Sequence, residues 1–172
     1  MSRAFVKEPD GGVPDEGLPE RQISDHPNYV TPAGLRQLER RIGELEQRRL
    51  QLLAQAEHEE DNGLAEQELA YVDRDLRYYT KRLETAILVE PKGQPRRMVK
   101  FGAAVTVTQK QDGARLTYRI VGEDEADPEH GKISYVSPLA IALLDARVGA
   151  TVHWRRPKGD RDLTIEEVDY PE

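Results

Sequence analysis

The feature that most constrains the fold is a pair of apolar stripes separated by a turn signal. Over residues 35–56, apolar residues recur at alternating steps of three and four, and residues 65–86 repeat the same spacing. Such spacing is typical of two helices that pack along a common seam. The intervening Asp61-Asn62-Gly63 favours a tight turn, because Asn and Gly tolerate positive φ. The sequence therefore predicts an antiparallel helical hairpin.

The expected hairpin extends from Pro32 to about Val89. Thr31-Pro32 predicts its start, since Thr is a good N-cap and Pro is favoured at the first helical position. A first helix that reached about Glu60 would be roughly 40 Å long at 1.5 Å per residue. The residues predicted to face one another across the seam are Leu38, Ile42, Leu45 and Leu52 on the first helix and Leu69, Val72, Leu76 and Leu83 on the second.

The rest of the chain divides into an arm, a linker and a β-rich part. Residues 1–28 are rich in Pro and Gly and predict a flexible arm, residues 29–90 form the hairpin, and residues 91–97 form the linker. Over residues 98–172, β-branched and alternating runs predict strands, and Ser137-Pro138 predicts the start of one helix. The predicted strands are 99–108, 116–121, 133–136, 151–155 and 163–168, the last two being an antiparallel pair. The fold class is therefore α+β.

Composition argues against several kinds of site. The chain has one Trp and two Phe, so a large apolar pocket for a small molecule is not expected. It has no Cys, which excludes disulfides and thiolate metal sites, and its four His are scattered, so no metal is predicted to bind stably to this chain alone. The absence of a long apolar run or a signal sequence predicts a cytoplasmic protein that does not contact a membrane.

Charge changes sign along the hairpin. Between Arg49 and Arg74 the sequence has no Lys or Arg, but it contains Glu57, Glu59, Glu60, Asp61, Glu66, Glu68 and Asp73. The parts nearer the base are basic, and the predicted basic face consists of Arg40, Arg41, Arg48, Arg49, Arg74 and Arg77. The net charge of −7 argues against a protein that coats duplex DNA.

The acidic tip, Glu59, Glu60 and Asp61, is the candidate catalytic site. Carboxylates near a helix C-terminus oppose the helix dipole, at a cost of about 0.3–1 kcal/mol each. A solvated surface remains the simpler interpretation, but local stability gives no reason for these acids. Mg²⁺ prefers carboxylate and water ligands, and a metal so held can generate hydroxide and clamp a phosphodiester. We therefore predict that the tip steers a Mg²⁺.

Four segments carry a family resemblance that covers roughly residues 29–172. They are YVDRDLRYYTKRLETAILVE in the second helix and KFGAAVTV, TYRIVGEDEAD and ISYVSPLAIALL in the C-terminal part. Together they resemble the GreA/GreB family of transcript-cleavage factors, and its GreB branch in particular. The resemblance implies a coiled-coil hairpin that enters the secondary channel of RNA polymerase and an FKBP-like domain that docks at the channel rim. It also implies that tip acids support cleavage of backtracked RNA by the polymerase's own active site, with a shared Mg²⁺.

The resemblance places the rim contact at Tyr135, Val136, Ser137, Pro138 and Leu139. It implies a monomeric accessory factor rather than an enzyme, with RNA polymerase as its partner and nucleic acid met only within the elongation complex.

Two departures from the family concern the hairpin. The family tip usually reads Asp-x-x-Glu-Asn-Ala-Glu-Tyr, whereas residues 60–67 place Glu60 at the first acid and Gly63 at the second. The hairpin is also about ten residues shorter, which reduces its reach by roughly 7 Å. A non-cleaving regulator or inhibitor that occupies the same channel therefore stays open as the alternative. A free-standing prolyl isomerase is disfavoured by the scarcity of aromatic residues.

Overall fold

The hairpin is built from two long helices. The structure, a computed structural model, describes residues 17–58 and 63–172. Helix α1 spans Pro32–His58 and helix α2 spans Gly63–Glu84. The predicted N-cap is confirmed, because the Gly34 amide donates a hydrogen bond of 3.0 Å to the Thr31 hydroxyl. This bond satisfies one of the donors that a helix start leaves unpaired.

The predicted seam is confirmed at its centre. Leu45, Leu52 and Val72 are buried together, and Leu69 and Leu76 are half-buried against them. Leu38 is also buried, whereas Ile42 and Leu83 are only half-buried. Arg49, which interrupts the apolar stripe, turns its guanidinium to Asp73 at 2.8 Å. The polar end of that side chain therefore lies outside the seam.

The second helix is shorter than predicted. It ends at Glu84 rather than near Val89, and the Thr85 hydroxyl donates to the Lys81 carbonyl at 2.9 Å. Strand β2, Ile87–Leu88, follows and pairs in parallel with strand β1, Tyr29–Val30. Backbone pairing with β1 outcompetes a further helical turn, for which β-branched residues have low propensity. These two short strands tie the entrance and exit of the hairpin together.

The C-terminal part is a five-stranded mixed sheet with one short helix. Its strands are β3 Ala104–Gln109, β4 Arg115–Val121, β5 Lys132–Ser134, β6 Thr151–Trp154 and β7 Arg161–Asp169, in the order β5-β4-β3-β7-β6. Neighbouring strands are antiparallel except β4 and β5. Helix α3, Pro138–Leu143, contacts β5 and β6. The α+β class and the antiparallel β6–β7 pair are confirmed.

Two local predictions in this part are corrected. The first strand begins at Ala104 rather than at residue 99, because Gly102 turns the chain with φ of +86°. Val99 is buried, but its backbone pairs with Ala146 and Asp145 in the loop after α3 instead of with the sheet. The sequence also missed two 3-10 turns after β4, at Glu123–Glu125 and Pro128–His130. Turns held by long-range contacts leave no periodic signal.

Within the predicted arm, residues 17–28 lie against the hairpin. The Glu20 carboxylate accepts a hydrogen bond of 2.5 Å from Arg77, and the buried Asn28 donates its side-chain amide to the Arg82 carbonyl at 2.6 Å. Residues 1–16 lie outside the described part of the chain, and the flexibility of the arm stays a prediction.

Candidate functional site

The three tip acids, Glu59, Glu60 and Asp61, lie outside the described residues. The helix ends that flank them carry Glu57 and Glu66, both exposed and neither in an ion pair with another described residue. Across residues 17–58 and 63–172, no cluster of three His, Asp or Glu side chains could hold a metal ion. In the same ranges, no helix is both long enough and apolar enough to cross a membrane.

The inner acids of the predicted acidic end are neutralised by arginines. Arg48 donates two hydrogen bonds of 2.7 Å to the Glu68 carboxylate, and Arg49 pairs with Asp73 at 2.8 Å. The hydrogen bond from Arg48 lowers the pKa of Glu68. The net negative charge of the hairpin is therefore concentrated beyond these two pairs, towards the turn.

The predicted basic face is largely paired with carboxylates. Besides Arg48 and Arg49, three more of its arginines contact an acid, and these pairs are Arg41 with Glu44 at 3.4 Å, Arg74 with Asp75 at 3.1 Å and Arg77 with Glu20 at 2.5 Å. Arg40 makes no ion pair with another described residue, and it lines a groove of about 320 Å³ at the base of the hairpin, beside Gln37 and Tyr79. A partner that binds this face would have to displace internal acids.

The base of α2 is fixed to the C-terminal part by a buried arginine. Arg82 is only 2% exposed, and its Nε donates to Asp124 at 2.5 Å while Glu123 lies 3.6 Å away. The Tyr78 hydroxyl donates to the other oxygen of Asp124 at 2.6 Å. Burial, and then this hydrogen bond, raise the pKa of Tyr78 to about 12. A buried arginine needs such partners, because an unpaired charge is costly in the protein interior.

The base of α1 makes a matching contact. The Thr31 hydroxyl donates at 2.5 Å to Glu125, which is buried. A methyl group at Gly34 would lie 2.6 Å from the same carboxylate oxygen, and one at Gly122 would collide with the Tyr29 carbonyl. Two glycines therefore allow the close approach of the turn at Glu123–Glu125 to the hairpin. Both helix bases are thereby fixed to the C-terminal part.

Sequence reasoning missed this junction. The acids Glu123–Glu125 belong to TYRIVGEDEAD, a segment that carried only the family resemblance. Arg82 lies three residues after Tyr79, which packs against the seam, and this spacing places it towards the packed side of α2. That position, for a charged residue, was the signal that could have identified it.

Most of the predicted rim contact has a structural role. Ser137 caps α3 by accepting a hydrogen bond of 3.3 Å from the Ala140 amide, and Leu139 is in the core. Tyr135 packs edge-on against Tyr29 and Phe101. The remaining two residues are more accessible, since Pro138 is exposed and Val136 is half-buried.

An apolar groove of about 350 Å³ adjoins Pro138, contrary to the expectation from composition. Tyr118 and Trp154 supply its aromatic lining, and Ile133 and Leu139 supply aliphatic surface. The groove arises because β4, β5 and β6 bring side chains that are distant in sequence to the start of α3. Few aromatic residues are enough when the fold concentrates them at one place.

The hairpin and the small mixed sheet, joined by buried acid–arginine contacts, define an α+β protein of two firmly connected parts. The chain belongs to the GreA/GreB family and is GreB-like, as the sequence resemblance predicted. The family model described as "Transcription elongation factor, GreA/GreB, C-term" matches residues 94–170.

Known relatives match most of the chain. Transcription elongation factor GreB of Neisseria meningitidis serogroup B is 34% identical over 154 residues, which cover 83% of this chain and 94% of the relative. Transcription elongation factor GreA of Nitratiruptor is 29% identical over 150 residues, covering 82% and 92%. Among solved structures, GreA factor homolog 1 of Thermus thermophilus is 25% identical, with coverage of 83% and 99% and a TM-score of 0.39.

Proposed function

We propose that this chain is a transcription elongation factor that binds RNA polymerase, inserts its hairpin into the secondary channel and promotes cleavage of backtracked RNA. Membership of a family whose members are named transcription elongation factors supports the role in elongation. The distribution of charge on the hairpin supports the cleavage role. The chain acts as a monomeric cytoplasmic accessory factor, and the polymerase performs the chemistry.

The observation that carries this proposal is that acid–arginine pairs occupy the shaft and leave the outermost carboxylates unpaired. Arg48 and Arg49 neutralise the inner acids, while Glu57 and Glu66 at the helix ends are exposed. Helix α1 has 27 residues and is therefore about 40 Å long. Such a rod can present carboxylates at the bottom of a narrow channel without bringing other acids near.

The tip would act on a metal that the polymerase holds. Because the described residues include no metal-binding cluster, the carboxylates of Glu59, Glu60 and Asp61 would orient the ion and its water rather than enclose it. When bound, Mg²⁺ supplies hydroxide generation and stabilisation of the phosphodiester charge. The junction at Arg82 would hold the hairpin at a constant angle, so that the tip arrives in a defined position.

The C-terminal part, for which the resemblance implies an FKBP-like topology, would supply most of the affinity. Affinity normally comes from a desolvated, apolar-centred patch, and the groove beside Pro138 offers one, whereas the hairpin end is charged. Because Ser137 and Leu139 support the fold, Pro138 is the residue at which binding can be tested without disturbing the core. We expect Pro138→Ala to weaken binding while the thermal unfolding temperature stays unchanged.

A stalled, backtracked elongation complex tests the cleavage role. With Mg²⁺ and the wild-type chain, we expect release of short RNA fragments from the 3′ end. Replacing Glu59, Glu60 and Asp61 together by Ala should abolish that release while changing polymerase affinity by less than about twofold, because exposed charges contribute little to binding energy. The matched control replaces three acids on the shaft, Glu39, Glu44 and Glu46, by Ala and should retain cleavage. Fragment release at the wild-type rate by the tip variant would refute the role of the tip.

A non-cleaving channel regulator is the second candidate. The observation in its favour is Gly63, which begins α2 at the position where the resemblance expects an acid. For this function, the same assay would show slowed RNA synthesis without released fragments, in both the wild-type chain and the tip variant.

A further inference from the structure

Residues 17–28 form a segment, here called the strap, that runs along α2. Its carboxyl end is anchored by Asn28, whose side chain contacts the base of α2 at Arg82 and Thr85. Towards its amino end, Arg21 lies 3.8 Å over the ring of Tyr78 and Glu20 reaches Arg77. Going from Asn28 to Glu20, the strap therefore advances from the base of α2 towards its far end.

The strap covers residues from both surfaces that are candidates for binding a partner. Glu20 contacts Arg77 of the basic face through three donor–acceptor pairs, the shortest of 2.5 Å. The hydrogen bond from Arg77, together with the charges of Arg77 and Arg74, lowers the pKa of Glu20. At its other end, the Pro27 carbonyl accepts a hydrogen bond from the hydroxyl of Tyr135, a residue of the rim contact.

We propose that the strap is an intramolecular competitor that occupies part of the polymerase-binding surface and is displaced when the hairpin binds. This inference rests on the proposed function. The group that displaces Glu20 is an anionic group of the polymerase complex, either a protein carboxylate or a phosphate, because Arg77 accepts only that chemistry. The strap thus weakens binding until a partner of the correct charge replaces its carboxylate.

The contacts of the strap are of the kind that a partner can displace. Arg77 and Glu20 are 58% and 61% exposed, and exposed ion pairs are weak. Their strength as a competitor comes from tethering, since Asn28 is buried and keeps Glu20 at a high local concentration near Arg77. The amino-terminal half of the strap can therefore leave while the anchor at Asn28 stays in place.

The burial pattern distinguishes a competitor from a structural staple. A staple stabilises a helix pair by burying apolar side chains. None of residues 17–27 is buried, and the strap's isoleucine, Ile23, is 42% exposed. The strap adds charge–charge and cation–π contacts to a hairpin whose own seam is already packed. Its loss should therefore change stability little.

The test measures the affinity of the full-length chain for core RNA polymerase by fluorescence anisotropy. Glu20→Ala removes the carboxylate from Arg77, and we expect affinity to rise about two- to fivefold, the range that one exposed ion pair supplies. The matched control is Asp25→Ala, which removes an exposed strap carboxylate that has no ion pair with a described residue, and it should leave affinity unchanged. In an Arg77→Gln background, Glu20→Ala should give no gain, because the competition is for Arg77.

The outcomes separate the strap from the proposed function. Binding by the wild-type chain that Glu20→Ala leaves unchanged or weakens would overturn the strap inference alone. A lower thermal unfolding temperature of Glu20→Ala, together with weaker binding, would identify a structural staple and overturn it as well. If neither the wild-type chain nor any variant bound polymerase, the proposed function itself would be refuted.

Discussion

Replacing Asp124 by Ala perturbs the junction between the hairpin and the sheet most directly. The substitution removes the carboxylate that accepts hydrogen bonds from Arg82 and Tyr78. Arg82 is 2% exposed and cannot turn to water, so it keeps only Glu123, at 3.6 Å. Removing one partner of a buried ion pair costs about 3–5 kcal/mol, and the remaining acid offsets part of that cost. We therefore expect a loss of about 3 kcal/mol in the free energy of unfolding.

Urea denaturation followed by far-UV circular dichroism measures this loss as a lower midpoint with an unchanged slope. The control is Glu44→Ala, which breaks the pair with Arg41 on the surface of α1 and should cost less than about 1 kcal/mol. A second variant, Asp124→Asn, keeps an acceptor for Tyr78 but lacks the charge, and it should fall between the wild type and Asp124→Ala. A loss below about 1 kcal/mol for Asp124→Ala would refute the view that this buried pair holds the two parts together.

Three further expectations follow from the seam, the sheet and the tip. Leu45→Ala should lower the free energy of unfolding in urea by about 2–5 kcal/mol, whereas Leu50→Ala, at a side chain 66% exposed, should change it by less than about 0.5 kcal/mol; equal losses would contradict the seam. Hydrogen bonds from Asp162 and then Asp160 raise the pKa of His153, so its stabilising contribution is complete below the unfolded-state pKa and disappears as pH rises through the raised folded-state pKa. Thermal melts between pH 5 and 9 should show this decline, and His153→Gln should remove it; an identical pH profile in the variant would exclude the assignment. Calorimetric titration of the isolated chain with Mg²⁺ should show no saturation below about 1 mM, since clustered carboxylates without a fixed cage leave the ion hydrated; tight stoichiometric binding would contradict a shared metal.

Several contacts around the site could not be read from the sequence because they join distant segments. Arg82 and Asp124 look like ordinary surface charges in the sequence, and only the packing of α2 against the turn at Glu123–Glu125 buries them. Likewise, Tyr118 and Trp154 lie on different strands, and the apolar groove exists only where those strands meet the start of α3. Composition counts aromatic residues but does not say where they converge.

What the sequence alone determined is the local geometry. The alternating steps of three and four defined the seam around Leu45 and Val72, and a capping hydroxyl followed by Pro marked the starts of α1 and α3, at Thr31 and Ser137. These features depend on residues a few positions apart, so they repeat in the chain as periodic or capping patterns. The tertiary structure decided which charges pair, where the strap lies and how the hairpin is held on the sheet, because each of these depends on side chains brought together from distant segments.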